Sequence, residues 1–411
     1  MIKILHTADV HLDSPLRSLA LRSSALRDTI AAASRTAFSG LVDLAISEEV
    51  SAILIAGDLF DGKERSARTG AFLLAELDRL GDAGIKVFYI KGNHDAENPV
   101  TGTLDLPSHV HVFDARGGKC QLSDGIWIHG VSFTDRHAPD SLLPRFKAPE
   151  PGAVNIAMLH SSLAGAAGHD VYAPCSVADL AGMGFDYWAL GHIHKRQVHA
   201  SSPWVVMPGI PQGRDIGESG PKSATMLTID QGRIDVSERR SSVVEFAHTE
   251  LDITQTDSDE ALRALLKSHL AEMRGAILAP VGVIRLTLTG RPARHWQILR
   301  DRDVWVEQAG ELAQGAGDLW IDKLVFAVAP PQAGEGASGA ADELAETMAA
   351  IRAEPGFAAL ARDEIDTVLQ DLPAALRDRL MADEAGQDAL IDRLTRAGAD
   401  LVLAQMKGAE S

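Results

Sequence analysis

The chain is poor in cysteine, in basic charge and in long apolar runs, and each shortage removes a class of protein. Two cysteines, Cys120 and Cys175, lie far apart among 411 residues. They exclude a disulfide framework and a cysteine-rich zinc site, and they fit a reducing, cytoplasmic setting. No apolar stretch approaches the roughly 20 residues that a membrane-spanning helix needs, so no membrane attachment is expected. The opening Met1-Ile2-Lys3-Ile4-Leu5 turns polar at His6 and does not read as a secretory leader. Lysine and arginine number 39 against 57 aspartate and glutamate, for a net charge of −18. That balance excludes a free-standing basic nucleic-acid module, because non-specific affinity for nucleic acid rests on basic charge. A nucleic-acid substrate would need metal ions or a partner protein to offset the field.

Apolar residues make up 45% of the chain, enough to bury real cores, and its length predicts about two or three domains. Ile2–Leu5, Ala52–Ala56 and Ile85–Ile90 read as short apolar strands. Between them, Leu26, Ile30, Ala33, Ala37, Leu41 and Leu44 recur at three- and four-residue spacing and predict a helix over 24–49. Leu73, Leu74, Leu77 and Leu80 predict another over 66–80. Strand, helix, strand, helix, strand is a parallel α/β unit with right-handed crossovers. Further strands are expected within 111–133 and at 154–159, 187–190, 205–207, 225–229 and 234–237, completing a mixed sheet. Residues 138–151 hold four prolines and read as a surface loop.

Polar residues follow these strands at their ends. Asp9 and His11 come after the first and Asp58 after the second. Asn93, His94 and Asp95 follow the third, where Gly92 suits a sharp exit. His160 ends a later strand, and His192 and His194 end another. In open α/β sheets, ligands bind beyond the carboxyl ends of the strands. Any one of these residues also fits an ordinary turn. Five ends together are an inventory of oxygen and imidazole ligands for two divalent ions. Asp58 would bridge them. Asp9, His11 and one histidine of the 192/194 pair would complete one position; Asn93, His160 and the other histidine would complete the second. Two ions about 3.5–4 Å apart clamp the attacking and leaving oxygens of an in-line displacement at phosphorus, with a hydroxide on the ions as nucleophile. His94, beside a ligand but spare, would protonate the leaving oxygen or stabilise the pentacoordinate state, and Asp61 or Asp95 would orient it.

The rest of the chain is organised differently. Residues 246–329 predict a small α+β unit, with a helix near 258–273 and strands at 281–289 and 319–328. Arg291, Arg294, Arg300 and Arg302, around Trp296, would suit phosphates and a base, but read rather as a solvated face with a half-buried tryptophan. Residues 330–341 are a flexible linker by composition. Residues 342–411 are acidic and helical, with apolar stripes such as Leu344, Met348 and Ile351, or Leu390, Leu394 and Leu401. Such stripes suit either a partner-docking hairpin or a small bundle.

Asp9-x-His11, Gly57-Asp58-x-x-Asp61, Gly92-Asn93-His94-Asp95, His160 and Gly191-His192-x-His194 resemble the five signature blocks of the calcineurin-like metallophosphoesterases. Order and spacing match, over about residues 1–240. Within that superfamily the chain looks like the SbcD-type DNA repair nucleases, bacterial relatives of the meiotic-recombination-eleven nucleases. It is most similar to the YhaO-like group, through His169–Pro174, Gly191–Gln197 and Pro208–Arg214. The resemblance implies a four-layer α/β/β/α sandwich over 1–245, a small α+β cap over 246–329 and a helical C-terminal tail over 342–411. It implies a first metal held by Asp9, His11, Asp58 and His194 and a second by Asp58, Asn93, His160 and His192, with manganese (Mn2+) the usual ion. It also implies His94 near the phosphate, and substrate contacts from Arg196, Gln212 and Arg214.

DNA is the implied substrate, and the tail is expected to dock an SMC-like, coiled-coil ATPase subunit; a homodimer is left open. Two positions depart from the pattern. Some relatives place a histidine where Asp61 stands, which puts end preference in question, and Asp215 stands where the YhaO-like loop often has a histidine. Gly62 stands where protein phosphatases of the superfamily carry arginine, which speaks against that activity. The rival readings are a small-molecule or cyclic-nucleotide phosphodiesterase and a non-catalytic scaffold for the ATPase. The intact ligand set opposes the scaffold.

Overall fold

Successive residues of a strand point to opposite faces, and here that alternation feeds two separate cores. On β2 (Ala52–Ala56), Ala52, Leu54 and Ala56 enter one core while Ile53 and Ile55 enter another. β1 (Ile2–Thr7) and β3 (Lys86–Ile90) lie parallel on either side of β2 and alternate likewise. Leu5, Val87 and Tyr89 meet α1 (Ser24–Ser47) and α2 (Ala67–Asp82), which contribute Phe38, Leu41, Leu73 and Leu77. Ser66 caps α2 by accepting the Thr69 N–H. The computed structural model describes residues 1–14, 24–61, 66–97, 104–163, 172–331, 340–373, 377, 380 and 384–408.

The other core lies between two six-stranded sheets. The first adds β4 (Val110–Val112), β11 (Ser223–Asp230) and β12 (Arg233–Arg240) in the order β12-β11-β1-β2-β3-β4. The second is β5-β6-β7-β8-β10-β9, made of Gly118–Ser123, Ile126–Gly130, Val154–His160, Tyr187–Gly191, Trp204–Met207 and Gln197–Ser201 respectively. Ile156, Met158, Tyr187 and Val206 of the second sheet share a core with Leu54 and Phe88 of the first. One polar tie crosses it: buried His6 bonds the Tyr187 hydroxyl at 2.9 Å and the Leu190 carbonyl at 3.0 Å. The outer face of the second sheet, with Leu159, Trp188 and Leu190, packs on Leu142, Tyr172, Leu180 and Phe185. Helix there is limited to Val177–Ala181 and a 3-10 turn at Leu143–Arg145 among the described residues.

The expected α/β architecture is therefore present, but the single mixed sheet divides. β10 pairs with β8, whereas β11 returns antiparallel to β1 and carries β12 with it. The chain separates into two compact units, Met1–His248 with Gly275–Ile284, and Thr249–Arg274 with Arg285–Ser411. Both sheets lie in the first.

The second unit contains α5 (Asp259–Ala276), α6 (His295–Arg300) and α7 (Arg302–Gly315), and β15 (Leu319–Val328). β15 closes a three-stranded sheet, β13-β14-β15, with β13 at Val244–Asp252 and β14 at Val281–Gly290. Leu262, Leu266 and Leu270, four apart on α5, are buried. The segment read as a basic–aromatic cluster forms α6 and α7, and its cations have partners inside the unit. Arg294 pairs with Asp259, Arg300 with Asp301, Arg291 donates to the Pro330 carbonyl, and Arg302 stacks on Phe326 at 5.3 Å. Lys407 lies 5.1 Å from the Trp296 ring centre. These contacts favour the solvated face over the phosphate-binding one.

The tail forms α8 (Ala340–Arg352), α9 (Pro355–Gln370) and α10 (Glu384–Lys407). Leu390, Leu403 and Ala404 of α10 are buried, while Ile351, Leu360, Val368, Leu394 and Leu401 stay exposed. Most of the expected linker, and His169 to Val171, lie outside the described residues. No helix among the described residues is long and apolar enough to cross a membrane.

Candidate metal centre

The loop after β1 runs beside the loop after β2 as a short ladder. The Asp9 N–H donates to the Gly57 carbonyl at 2.9 Å, His11 to Asp58 at 3.0 Å and Leu12 to Leu59 at 3.0 Å. This brings Asp9 and His11 against Asp58. Asp9, His11, Asp58 and His192 all have positive φ, at 53°, 45°, 52° and 103°. A non-glycine residue held there costs about 1–3 kcal/mol. Four such residues fall in this one cluster. The short helix α3 (Asn93–Glu97) starts just after β3, and the His94 N–H donates to Asp58 Oδ1 at 2.9 Å.

Asp9, His11 and His194 each bring one ligand atom within 4.8 Å of the others, as do Asp9, Asp58 and His160, and also His11, Asp58 and His94. His11 Nε2 and His194 Nε2 are 3.2 Å apart. An Asp58 oxygen lies 4.0 Å from His11 Nε2 and 3.4 Å from His160 Nε2, and Asn93 Oδ1 lies 3.0 Å from His160 Nε2. His160 Nδ1 donates to the Ala56 carbonyl at 3.0 Å, which directs the lone pair of a neutral ring to Nε2. A ring nitrogen, an amide oxygen and a carboxylate oxygen thus converge, and a cation satisfies all three. The His192 N–H donates to both Asp9 oxygens, at 3.1 and 2.9 Å, and its ring lies 5.1 Å from that of His160. Buried carboxylate, imidazole and amide donors of this kind fit hard-to-borderline divalent ions.

Burial and mutual charge set the ionisation. Burial depresses His11 to about 4, so its ring is neutral and keeps a lone pair. Burial lifts the Asp9 carboxyl to about 6. Burial opposes ionisation of Asp58 as well, but the His160 imidazole holds it well below the usual carboxylate range. Burial would also depress His160, yet the carboxylates of Asp58 and Asp9 outweigh it and lift the ring to about 9. Without an ion, then, His160 carries a proton where an ion would bind, and binding must release it. Apparent affinity for a divalent ion is expected to climb between about pH 6 and about pH 9, by up to about tenfold per unit. Calorimetry in buffers of different ionisation enthalpy measures both the affinity and the proton; a flat profile would refute the exchange.

Asp61 lies 3.4 Å from His94 Nδ1 and 3.6 Å from His11 Nδ1. The two imidazoles hold the Asp61 carboxyl far below its ordinary range, and Asp61 in turn raises His94. A raised value favours the protonated ring, the form that a proton donor requires. Asp95 has a different place. It is buried, and its two oxygens accept the N–H groups of Phe60 and Gly92, each at 3.0 Å. It stitches the loops after β2 and β3 together, and Asp61 is the carboxylate beside the His94 ring.

Gly92 is needed for a reason other than a sharp exit. Its backbone is not in the left-handed region, but an added Cβ would collide with Asp58 Oδ1. Gly57 and Gly191 make room for the His160 ring in the same way. Gly92→Ala is expected to displace the Asp58 carboxylate and to lower metal content per chain. Metal content equal to wild type, by elemental analysis, would show that the carboxylate tolerates the methyl group.

A cavity of about 820 Å³ opens over these residues, lined by Asp58, Asn93, His94, His192, His194 and Arg214, with Arg136, Tyr172, Lys195, Glu218 and Lys222 on its walls. Of the three expected substrate contacts, Arg214 is on the wall. Arg196 instead donates to Thr225 Oγ1 and faces Glu238 at 3.7 Å. Gln212 is buried, donates to the carbonyls of Gly213 and Val244, and accepts the N–H groups of Val243 and Val244. Both amide ends are thus engaged with backbone inside the fold. Glu218 had no signal in the sequence: it stands in Gly217-Glu218-Ser219-Gly220, with no ligand-like spacing. Its Oε1 lies 2.6 Å from His194 Nδ1.

Comparison with known proteins agrees with this geometry. Residues 2–196 match the calcineurin-like phosphoesterase family, and residues 246–329 match the middle domain of metallophosphoesterase YhaO. An uncharacterized metallophosphoesterase YhaO of Bacillus subtilis is 34% identical over 301 residues, covering 72% of this chain and 73% of its own. A DNA double-strand break repair protein Mre11 of Sulfurisphaera tokodaii is 31% identical over 204 residues, 48% of this chain and 50% of its own. The Mre11 protein of Haloferax volcanii is 24% identical over 408 residues, 95% of this chain and 86% of its own. The match thus spans only half of the Sulfurisphaera relative.

Proposed function

Because the chain belongs to the calcineurin-like metallophosphoesterases, we propose that it is a two-metal phosphodiesterase that cleaves DNA as the nuclease subunit of a repair complex. The observation that carries the chemistry is Asp58, which recurs in two of the three ligand groups and lies between His11 and His160. Asp9, His11, Asp58 and His194 would hold one ion, and Asp58, Asn93, His160 and His192 would hold the other. Manganese is the ion we assign. Bound ions neutralise charge on the phosphoryl oxygens and lower the pKa of water. The remaining work falls to side chains. His94, with Nδ1 toward Asp61, carries a proton to the leaving oxygen. Arg214 meets a phosphate at the cavity wall. The substrate class is supported by the archaeal relatives, whose names are those of DNA double-strand break repair proteins.

The test uses purified chain and manganese, with linear duplex DNA, single-stranded DNA and bis-p-nitrophenyl phosphate as substrates. Cleavage of DNA that disappears in His94→Ala supports the nuclease reading. Turnover of the small diester with DNA left intact would favour a small phosphodiester substrate, a reading that the net charge of −18 also favours. The exposed apolar residues of α8, α9 and α10 support docking of a coiled-coil ATPase subunit. Removing 342–411 should then abolish co-purification with that ATPase; undiminished binding would remove this part of the proposal.

A further inference from the structure

We propose that Glu218 is a positioning residue of the metal centre, fixing the tautomer and direction of His194 while holding Arg214 against the same cavity wall. The inference rests on the two-metal reading but concerns a residue which that reading does not use. At 2.6 Å, the contact from His194 Nδ1 to Glu218 Oε1 has the length of a charge-assisted hydrogen bond. An ionised carboxylate only accepts, so Nδ1 carries the hydrogen and Nε2 keeps its lone pair. That Nε2 is the atom facing His11 Nε2 at 3.2 Å, in the group completed by Asp9. A histidine whose other nitrogen is held by a carboxylate is both oriented and made more basic as a ligand.

Glu218 is itself held. The Arg214 backbone N–H donates to Oε2 at 2.7 Å, and Arg214 Nη2 donates to Oε1 at 2.8 Å. The Glu218 N–H closes the turn onto the Asp215 carbonyl at 3.0 Å. Arg214 Nη2 also approaches His194 Nδ1 at 3.1 Å. Two donors cannot bond each other, so that approach follows from both binding one oxygen. A single carboxylate therefore ties a metal ligand to a cation of the cavity wall.

The rival is a carboxylate that merely closes the loop 214–218. Two readouts separate them: manganese titration by calorimetry, and the His194 tautomer in the metal-free protein, read from nitrogen shifts of 15N-histidine. Glu218→Ala is expected to weaken one of the two manganese positions by about 10–100-fold, to leave the other unchanged, and to release His194 into mixed tautomers. Glu218→Gln keeps an acceptor for Nδ1–H and is expected to recover the tautomer and part of the affinity; it also answers the question if the alanine variant fails to fold. Wild-type tautomer and wild-type affinity at both positions in folded Glu218→Ala would overturn the inference, as would undiminished affinity at both positions in Glu218→Gln should the alanine variant fail to fold, whatever happens to the melting temperature. If the unaltered chain takes up fewer than two ions, the two-metal reading fails, and the tautomer alone then decides the role of Glu218.

Discussion

Asp58→Ala is expected to empty both metal positions and to abolish hydrolysis of every phosphodiester tested. Its carboxylate faces His160 Nε2 at 3.4 Å on one side and His11 Nε2 at 4.0 Å on the other. Removing it withdraws one ligand from each position. It also withdraws a negative charge that faces the imidazoles of both His11 and His160. The loss of affinity should exceed the roughly 10–100-fold that follows when only a ligand's hydrogen-bond partner is removed. Alanine at this buried position keeps a φ of 52° that aspartate tolerates better and lacks the acceptor for the His94 N–H, so the variant is expected to be less stable than the wild type and its metal content is read on folded protein. Metal content per chain is the measurement. One ion retained at wild-type affinity would show that Asp58 serves a single position.

His94→Ala is expected to behave in the opposite way, keeping two ions while turnover falls by about 10²–10⁴-fold, the usual contribution of general acid–base catalysis. The prediction is demanding because His94 shares a ligand-like group with His11 and Asp58. If His94 were a ligand, its removal would lower metal content along with rate. Its position argues otherwise. Its Nδ1 is turned to Asp61 at 3.4 Å, and its ring is partly exposed on the cavity wall whereas His11 and His160 are fully buried. Asp61 raises the His94 pKa, so the protonated ring persists to higher pH than a free imidazole and is lost as pH rises through that raised value. Wild-type activity should therefore fall on the alkaline side with a limb that His94→Ala lacks. Loss of an ion in the variant would move His94 from proton donor to ligand.

The metal-ligand types were legible in the chain because two local signals coincide. Apolar periodicity shows where a buried strand stops, and a metal accepts few residue types at that point. Asp9, Asp58, Asn93, His160 and His192 could be read one strand at a time. Partition of the strands could not. β10 and β11 are both short apolar segments, and only pairing across the chain sends Val205 beside Trp188 and Leu227 beside Ile4. Nor could the use of a polar side chain. Arg196 and Gln212 stand in motif-like stretches next to the site, yet their hydrogen bonds run to Thr225 and to the backbone of Val243 and Val244.

By itself, then, the sequence determined which residues could bind metal and at which strand ends they stand, since strand length and ligand chemistry are local properties. Tertiary structure alone decided that these ends meet at one centre, that Gly92 leaves space for the Asp58 carboxylate, and that Glu218 reaches His194 across 24 positions. Those outcomes depend on how two sheets pack through a shared apolar core, and the direction of a side chain in that packing is written in no single stretch of the chain.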